Sequence, residues 1–373
     1  MLFAIRSARR ALLAELTQAL SITPRNSGSL IETHVLLDST AGFGLVSLQA
    51  TNHDESLAST FHAQVDVSGR VALPTRRLHD YVRLLPDSEI AISASELNAI
   101  TVRAGCSKTL FTGIAPNVFP QARPARAPIF HLDSDILAAV LRRTKFAISP
   151  EDSRYVLNCL LLDLGPEHTR IVSTDGNRLA LVELSGASAE SLAILIPRGA
   201  IDPLIALTDA AGDNEIAVAV DDKRISFTAG ARLLSIRKVT GNFPNYEAVL
   251  PTEQGREVKV GRQPFLDAIE HTMQFADSRK SAVKIQIHEN ILEVSAASSE
   301  YGEARECIEI EFNGEPFTAA YNASFLCDFL RATESSPRIL FSFRNPQSAV
   351  GFRPGDCGGP FTYRYVVMPC TLS

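Results

Sequence analysis

The side chains that enzymes use for catalysis are present in this sequence, but their spacing matches no catalytic motif. Asp175 lies in the stretch STDGNR, and Ser173 and His168 are close to it, yet no G-x-S-x-G motif accompanies them. Two glycine-rich stretches, AGFG at 41–44 and GDCGGP at 355–360, match neither G-x-G-x-x-G nor a Walker A motif. The sequence therefore predicts no catalytic residues and a protein that is not an enzyme.

The residues that commonly bind metals are scattered along the chain. Six cysteines form no C-x-x-C pair, and eight histidines form no H-E-x-x-H or H-x-x-x-H motif. In a chain of 373 residues this distribution is typical of free thiols in a reducing compartment. The sequence predicts no metal site and no cofactor.

Composition limits the class of protein. Hydrophobic residues make up 45% of the chain, which is enough for sizeable cores and argues against disorder. No apolar run approaches the roughly 18–20 residues that a membrane-spanning helix needs, and we expect a cytoplasmic protein that does not bind membranes. The net charge of −6 argues against a wholly basic surface for nucleic acid, although a basic strip on an acidic protein is compatible with it.

The elements that would position any site are organised as an internal repeat. The stretch NVFPQ at 117–121 recurs as GNFPNYEAVLP at 241–251, about 124 residues further on. Upstream, residues 73–105 match residues 196–230, and a third version occupies 320–355. Repeats at a fixed period decide the architecture of a chain. We therefore expect three tandem copies of one unit.

Each copy reads as helix, strands, helix, strands. The first helix of each copy carries one apolar face, in ARRALLAELTQAL, DSDILAAVLRRTKF and GRQPFLDAIEHTMQF. Alternating runs such as VKIQIHENILEVSA predict antiparallel sheets with one face on a core. The prediction is an α+β fold with domains at 1–125, 126–251 and 252–373.

Several motifs together resemble one protein family. They are SRYVLNCLLLDL at 153–164, STDGNRLALVEL at 173–184, IPRGAIDPL at 196–204, VTGNFPNYEAVLP at 239–251 and the terminal YVVMP at 365–369. In this combination the chain resembles the bacterial replicative sliding clamp, the beta subunit of DNA polymerase III. The resemblance is strongest from about 127 to 251 and at the C-terminus, and the first third matches chiefly in order and spacing.

The resemblance implies a DNA clamp fold that assembles into a ring. Such clamps are head-to-tail homodimers of three-domain chains, with strands outside and helices lining a central hole. The ring encircles double-stranded DNA without sequence preference and acts as a processivity factor. Its implied protein partners are the DNA polymerase III alpha subunit, the clamp loader and other proteins with a short clamp-binding peptide. The implied dimer interface pairs Thr109 and Phe111 with Gln274 and Phe275.

A ring explains how an acidic protein could hold DNA. The closed ring itself retains the duplex, and charge only has to avoid repulsion inside the hole. Helical segments of all three copies carry Lys or Arg, including Arg76 and Arg142, which we expect to meet phosphates. The resemblance also places Arg25, Tyr155, Arg198 and Arg279 near the DNA path. For any one of these residues, a solvated helix face is the alternative interpretation.

The resemblance further implies a groove for short linear peptides. An apolar slot with a few orienting polar groups suits such a ligand, and methionine suits a slot with several ligands. The implied groove residues are Leu157, Thr174, Gly176, Asn177, Arg178, Leu179, Pro244, Val249, Asn322, Phe325, Val366, Val367, Met368, Pro369 and Cys370. The alternatives are that the apolar members are core residues and that TDG is only a hairpin turn.

The sequence departs from the family pattern at three points, all in the implied groove. Ala248 stands where arginine is common, Asn177 replaces a common histidine, and the chain ends in Cys370 to Ser373 rather than in an apolar residue, arginine and leucine. Two alternatives follow: a second-copy clamp with an altered groove, carried on a mobile element or resistant to a groove-binding inhibitor, and an interaction scaffold that never encircles DNA.

Overall fold

A computed structural model describes residues 1–96, 98–120, 126–185, 191–212, 214–250, 255–277, 281–355 and 359–370. The chain divides into two compact units. Unit 1 comprises Met1–Ala138 and Gly199–Lys238, and unit 2 comprises Ala139–Arg198 and Val239–Ser373. No helix among the described residues is long and apolar enough to cross a membrane.

The helices of the described residues are short, and each copy of the repeat contributes a pair of longer ones. They are α1 Arg9–Ile22, α2 Leu30–Thr33, α3 Thr75–Leu84, α4 Ser134–Thr144, α5 Ile201–Ala211, α6 Arg262–Thr272 and α7 Ala323–Ala332. Helix α1 buries Leu12 and Leu16 of the apolar face predicted from the sequence, leaves Leu13 and Leu20 half-buried, and packs on α3, α5 and strand 55–62 of unit 1.

Strands make up most of the fold. They are β1 Phe3–Ala8, β2 His34–Asp38, β3 Leu45–Thr51, β4 Glu55–His62, β5 Gln64–Val67, β6 Arg70–Pro74, β7 Glu89–Glu96, β8 Ala99–Ala104, β9 Ser107–Thr112, β10 Phe130–Asp133, β11 Cys159–Leu164, β12 His168–Thr174, β13 Arg178–Ser185, β14 Leu192–Pro197, β15 Glu215–Val220, β16 Arg224–Ala229, β17 Arg232–Arg237, β18 Arg256–Gly261, β19 Ala282–His288, β20 Ile291–Ser298, β21 Gly302–Glu309, β22 Phe317–Asn322, β23 Arg338–Phe343, β24 Val350–Pro354 and β25 Phe361–Val367.

Each unit contains one large and one small antiparallel sheet. In unit 1 the orders are β10-β15-β16-β17-β4-β3-β2-β6 and β5-β1-β7-β8-β9. In unit 2 they are β14-β11-β12-β13-β25-β24-β23-β18 and β21-β20-β19-β22. The eight-stranded sheets therefore join strands from neighbouring copies of the repeat, at β17–β4 in unit 1 and at β13–β25 in unit 2.

A small backbone feature recurs in all three copies and confirms the internal repeat in the fold. The strand before the second helix of each copy carries an isolated β-bridge to the segment after the last strand. The bridges join Ala72 to Ile114, Leu195 to Val239, and Ala320 to Cys370. Their N–H···O distances are 3.2, 3.2 and 2.8 Å, respectively.

Candidate functional site

A cavity of about 150 Å³ opens in unit 2 where the strand β25 ends beside the turn between β12 and β13. Most of the residues implied by the resemblance line it. The lining consists of Leu157, Thr174, Gly176, Asn177, Arg178, Leu179, Pro244, Asn245, Tyr246, Val249, Val366 and Met368.

The floor of the cavity is apolar because two strands from different copies of the repeat pair there. Leu179 of β13 lies directly opposite Val366 of β25, and both are almost fully buried. They belong to a hydrophobic cluster against which Phe243, Tyr246 and other residues of the 239–250 segment pack. This cluster holds that segment against the sheet and leaves an apolar slot at its edge.

The rim on one side is the TDG turn, whose backbone is fixed by its own side chains. The Asp175 carboxylate accepts hydrogen bonds from the N–H groups of Asn177 and Arg178, at 2.9 and 3.1 Å. Thr174 donates its hydroxyl to the Arg178 carbonyl at 2.6 Å. Gly176 has φ +92°, a left-handed conformation that glycine adopts without steric cost. The turn therefore presents a rigid wall.

Arg178 joins this turn to the helix α7. Its guanidinium donates to the carboxylates of Asp175 and Asp328, at 2.9 and 2.6 Å, and to the Phe146 carbonyl at 2.6 Å. The same group lies 4.3 Å from the centre of the Phe325 ring. An arginine held by two carboxylates and an aromatic face is rigid, so its role in this structure is to support the rim.

Charge and burial reinforce that network. Burial opposes the charge of Arg178, but interactions with the carboxylates of Asp328 and Asp175 raise the pKa of the guanidinium above its ordinary value. Burial also raises the pKa of the Tyr365 phenol. Arg178 therefore stays charged and Tyr365 stays neutral, and Tyr365 donates its hydroxyl to the Phe325 carbonyl at 2.9 Å.

The opposite wall is anchored by a second arginine. Arg170 contacts the carboxylates of Glu183 and Glu247, at 2.6 and 2.7 Å. It also donates to the hydroxyl of Tyr246 at 3.4 Å, and that hydroxyl donates to Asp163 at 3.2 Å. These bonds tie the segment of Pro244 to Val249 onto the sheet.

Five residues of the implied groove do not line the cavity. Val367 is buried in β25, and Pro369 is half-buried beyond the strand. Cys370 donates its N–H to the Ala320 carbonyl in the third β-bridge. Asn322 caps α7 by accepting from the N–H groups of Ser324 and Phe325. Phe325 supports the rim by contact with Arg178.

Two lining residues were not singled out from the sequence. Asn245 and Tyr246 lie in the motif FPNYEAVLP, between the predicted residues Pro244 and Val249. The sequence could therefore have identified them, because a continuous wall from 244 to 249 includes the residues between its two ends.

Comparison with known proteins decides the family. Three domain models of the DNA polymerase III beta subunit match consecutive parts of the chain: the N-terminal domain at 1–122, the central domain at 131–245 and the C-terminal domain at 247–370. The chain belongs to the DNA polymerase III beta subunit family. It is a DNA sliding clamp, an accessory subunit of the polymerase and not an enzyme.

Relatives match along their full length. The beta sliding clamp of Synechococcus elongatus is 29% identical over 370 residues, with 96% of this chain and 97% of the relative covered. A crystal structure of the Pseudomonas aeruginosa sliding clamp bound to griselimycin has a TM-score of 0.90 at 27% identity, with both chains fully covered. The Thermotoga maritima beta subunit has a TM-score of 0.92 at 25% identity and the same coverage. The full-length matches do not favour the two alternative interpretations.

The basic residues expected near DNA fall at several places on this beta subunit. In unit 1, Arg25 and Arg76 come together with Arg77 around a cavity of about 310 Å³ that Asp80 also lines. In unit 2, Arg142, Arg198 and Tyr155 are exposed, and 59% of Tyr155 is accessible to solvent. Arg279 lies outside the described residues.

The residues expected at the dimer interface occupy the margins of the two small sheets. Thr109 and Phe111 lie on β9, the edge strand of the unit 1 sheet, where the Phe111 ring packs edge-on against Tyr81 at 5.8 Å. Phe111 is already largely buried within its own unit. Gln274 is exposed and Phe275 half-buried in the short turn after α6.

Proposed function

We propose that this chain forms a closed homodimeric ring around duplex DNA and holds DNA polymerase III and other partners through the unit 2 cavity. The single observation that carries the proposal is the apolar slot between Leu179, Val366 and Met368, walled by the TDG turn and by the 244–249 segment. We further propose domain boundaries near 125 and 251, and activity in the cytoplasm.

The slot suits one apolar anchor of a short peptide. Its lining is mainly apolar, and Met368 is 37% exposed at the mouth, where an unbranched side chain can adapt to different ligands. Asn177 and Asn245 also line it and can hydrogen-bond the backbone of an extended peptide. A leucine or aromatic anchor desolvated there would supply most of the affinity.

Peptide preference is proposed to differ from that of a clamp with the usual residues. Asn177 lines the cavity where histidine is common, and exposed Ala248 stands where arginine is common. Loss of two basic groups beside the slot weakens attraction for acidic peptides. The groove would then depend more on its apolar anchor than on charge.

Duplex DNA is proposed to pass through the ring without sequence readout. Arg25, Arg76, Arg142 and Arg198 offer charge to phosphates, and the exposed Tyr155 offers an apolar surface beside them. Arg279 is proposed for the same role. Phosphate contacts of this kind are exchangeable and weaken with salt, which suits a protein that slides.

Ring closure is proposed to occur through the free edges of the small sheets. In unit 1 the sheet ends on β9, and in unit 2 it ends on β21. Exposed strand edges are unstable unless covered, and pairing β9 with the partner's β21 would satisfy both. Thr109 and Phe111 lie on β9, so Gln274 and Phe275 of the partner would approach beside that joint.

Two measurements test the ring. Sedimentation of the full-length protein should give twice the 40.5 kDa mass of the chain. Protein placed on nicked circular DNA by a bacterial clamp loader should remain bound and should be released once the DNA is linearised. Equal loss from circular and linear DNA would exclude a topological link.

A titration with a clamp-binding peptide tests the groove. Met368→Ala should weaken binding by about 1–2 kcal/mol, because a partly exposed contact residue is removed from the mouth of the slot. Leu84→Ala is the matched control, since Leu84 is exposed in unit 1 and does not line the cavity. Equal affinities for both variants would mean that the peptide binds elsewhere.

A further inference from the structure

Two exposed cysteines lie at the free edges of the two small sheets. Cys106 belongs to the turn that leads into β9, and Cys307 lies on β21. By contrast, Cys159 and Cys327 are buried, and burial raises the pKa of each thiol to about 11. Among the described residues, Cys106 and Cys307 are therefore the accessible thiols that would meet if β9 paired with the partner's β21.

The register of that pairing follows from the internal repeat. Within one chain, the junctions β4–β17 and β13–β25 join neighbouring copies, and β21 and β9 are the corresponding strands left at the free edges. In the two formed junctions the directly opposed pairs include Ala58 with Leu233 and Leu181 with Arg364. These two pairs are equivalent positions, as the β-bridges establish.

Equivalent residues can be counted from the recurring bridges on one side. Leu233 lies six residues before the bridge residue Val239, and Arg364 lies six residues before the bridge residue Cys370. In the first copy the bridge residue is Ile114, and six residues before it is Lys108 on β9. Lys108 therefore holds the position of Leu233 and Arg364.

The other side is traced through the sheet registers from the bridge partners. Each path crosses three strands by directly opposed pairs, and the paths run Ala72–Leu36–Gln49–Ala58, Leu195–Leu161–Val172–Leu181 and Ala320–Lys284–Ser295–Arg305. Arg305 of β21 therefore holds the position of Ala58 and Leu181. The third junction, between β9 and the partner's β21, then sets Lys108 opposite the partner's Arg305.

From that register we infer that Cys106 lies opposite the partner's Cys307, and that the two form a disulfide that locks the ring when oxidised. Cys106 lies two residues before Lys108, in the turn next to β9, and Cys307 lies two residues after Arg305 on β21, in the opposite directions that antiparallel pairing requires. Directly opposed residues have Cα atoms about 4.5–5.5 Å apart, within the range of a disulfide. This inference depends on the proposed dimeric ring.

The two thiols also point to the same face of the joined sheet. Glu306 faces α6, where its carboxylate meets His271, so its neighbour Cys307 points to the opposite face, where it is exposed. Phe111 faces Tyr81 of α3, and the alternation of β9, continued by one residue into the adjoining turn, places Cys106 on the face away from that helix. Each protomer contributes one of each cysteine to a two-fold ring, so the ring would contain two such bonds.

The oxidant is a low-molecular-weight disulfide such as oxidised glutathione. The Cys106 thiolate attacks one sulfur of glutathione disulfide, forms a mixed disulfide and releases one glutathione thiolate. The partner's Cys307 thiolate then attacks the Cys106 sulfur and releases the second glutathione. The two protein thiols are oxidised by two electrons, glutathione disulfide is reduced, and both cysteine protons pass to solvent or to the released thiolates. A reducing cytoplasm would keep the bond open until oxidation.

Crosslinking of the full-length protein tests the inference. After treatment with oxidised glutathione, a denaturing gel without reductant should show a species of twice the 40.5 kDa chain, and dithiothreitol should abolish it. Cys106→Ser and Cys307→Ser should each prevent the crosslink. Cys370→Ser is the control and should crosslink like the parent, because Cys370 lies at the third bridge within the chain and not on either free edge.

Mixing the two single variants sharpens the result. A mixed dimer has one junction with both cysteines and one with neither, so the mixture should regain the crosslink that each variant lacks. Crosslinking of either variant by itself would show pairing of like cysteines and would overturn the inference.

Sedimentation under reducing conditions separates this inference from the ring itself. A reduced dimer that never crosslinks would overturn the register and leave the proposed ring intact, whereas a monomer would overturn the ring. With the inference correct, oxidised protein should resist loading onto nicked circular DNA, and reduction should restore loading at least tenfold.

Discussion

The groove of unit 2 has a counterpart in unit 1 with the same backbone and different side chains. The registers make Ser56 and Ser235 equivalent to Leu179 and Val366, and each pair is directly opposed across its junction. In unit 2 the pair forms an apolar floor, whereas in unit 1 two hydroxyls occupy that place. The comparison teaches that the repeat builds the site and that two residue types decide whether it can accept an apolar anchor.

The Ser235 hydroxyl in the polar floor of unit 1 is satisfied by its own neighbours. Arg224 donates to the Ser235 hydroxyl and carbonyl, both at 2.8 Å, and Ser226 donates to the Ser235 hydroxyl at 3.1 Å. The surrounding cavity measures about 510 Å³, larger than the groove. An apolar side chain of a ligand placed over these groups would exclude solvent from them without forming new hydrogen bonds. This cavity therefore does not suit a peptide that binds the groove through an apolar anchor.

The adjoining turns differ in the same way. Arg178 of unit 2 is replaced in the equivalent position by Glu55, and Gly176 is replaced by His53. Arg178 connects two carboxylates, whereas Glu55 accepts one side-chain bond from Asn52 at 3.0 Å. The turn of unit 1 is tied to helices of its own copy, through Asn52 to the Ile22 carbonyl at 3.1 Å and His53 to Glu32 at 3.0 Å, whereas Arg178 reaches α7 of the next copy.

The largest effect is expected from removing that tie. Arg178→Ala should lower the free energy of unfolding by about 3–5 kcal/mol, because two carboxylates lose a largely buried partner. Urea unfolding measures the change. Arg10→Ala is the matched control, since its ion pair with Asp87 is exposed and worth less than about 1 kcal/mol. Similar losses in both variants would contradict a special role for the Arg178 network.

The next effect comes from giving the groove the floor of its counterpart. Val366→Ser should destabilise the protein by about 1.5–3 kcal/mol through lost apolar burial and should weaken a clamp-binding peptide more than tenfold. Isothermal titration measures the affinity. The reciprocal change, Ser235→Val in unit 1, should leave that affinity unchanged, and an altered affinity would show that the peptide also uses unit 1.

A smaller effect is expected at the turn residues. Gly176→Ala should cost about 1–2 kcal/mol, because alanine is strained at φ +92°. His53 adopts φ +71° in the equivalent turn, so His53→Gly should relieve strain there and gain up to about 1 kcal/mol. Thermal unfolding of both variants measures the shifts, and changes of the same sign would mean that the two turns are not equivalent.

The smallest effect is a pH dependence at Glu55. Burial raises the pKa of its carboxyl above the ordinary value, so the folded state holds this proton more tightly than the unfolded state. Its stabilising contribution is full below about pH 4.5 and is lost as pH rises through the folded pKa. Glu55→Gln should therefore stabilise the protein relative to the parent at pH 7 and lose this advantage near pH 4. Melting temperatures that differ equally at both pH values would exclude this origin.

The sequence predicted the repeat from its own spacing, and the family resemblance implied most of the residues that line the cavity. Phe119-Pro120 and Phe243-Pro244 recur at one spacing, and Thr174 to Leu179 form a compact motif. Val366 and Val367 could not be told apart from the sequence. Alternation along a strand puts their side chains on opposite faces, but only the observed sheet shows which of them faces the slot and which the core. The joining of β13 to β25 was also beyond the sequence, since every copy contains similar strands and pairing depends on tertiary arrangement.

Because β25 lies next to β13 in the sheet, β13 lacks one of its two neighbouring strands until late in synthesis. Strand β13 is translated about 180 residues earlier than β25 and pairs with β12 on one side, yet on its other side Leu179 and Leu181 obtain their opposite partners from β25. At a synthesis rate of roughly 5–20 residues per second, β13 waits for about 10–40 seconds with an unpaired apolar edge. During that interval a nascent chain on the ribosome exposes an apolar strand edge to which a chaperone can bind, and it cannot yet recruit a polymerase.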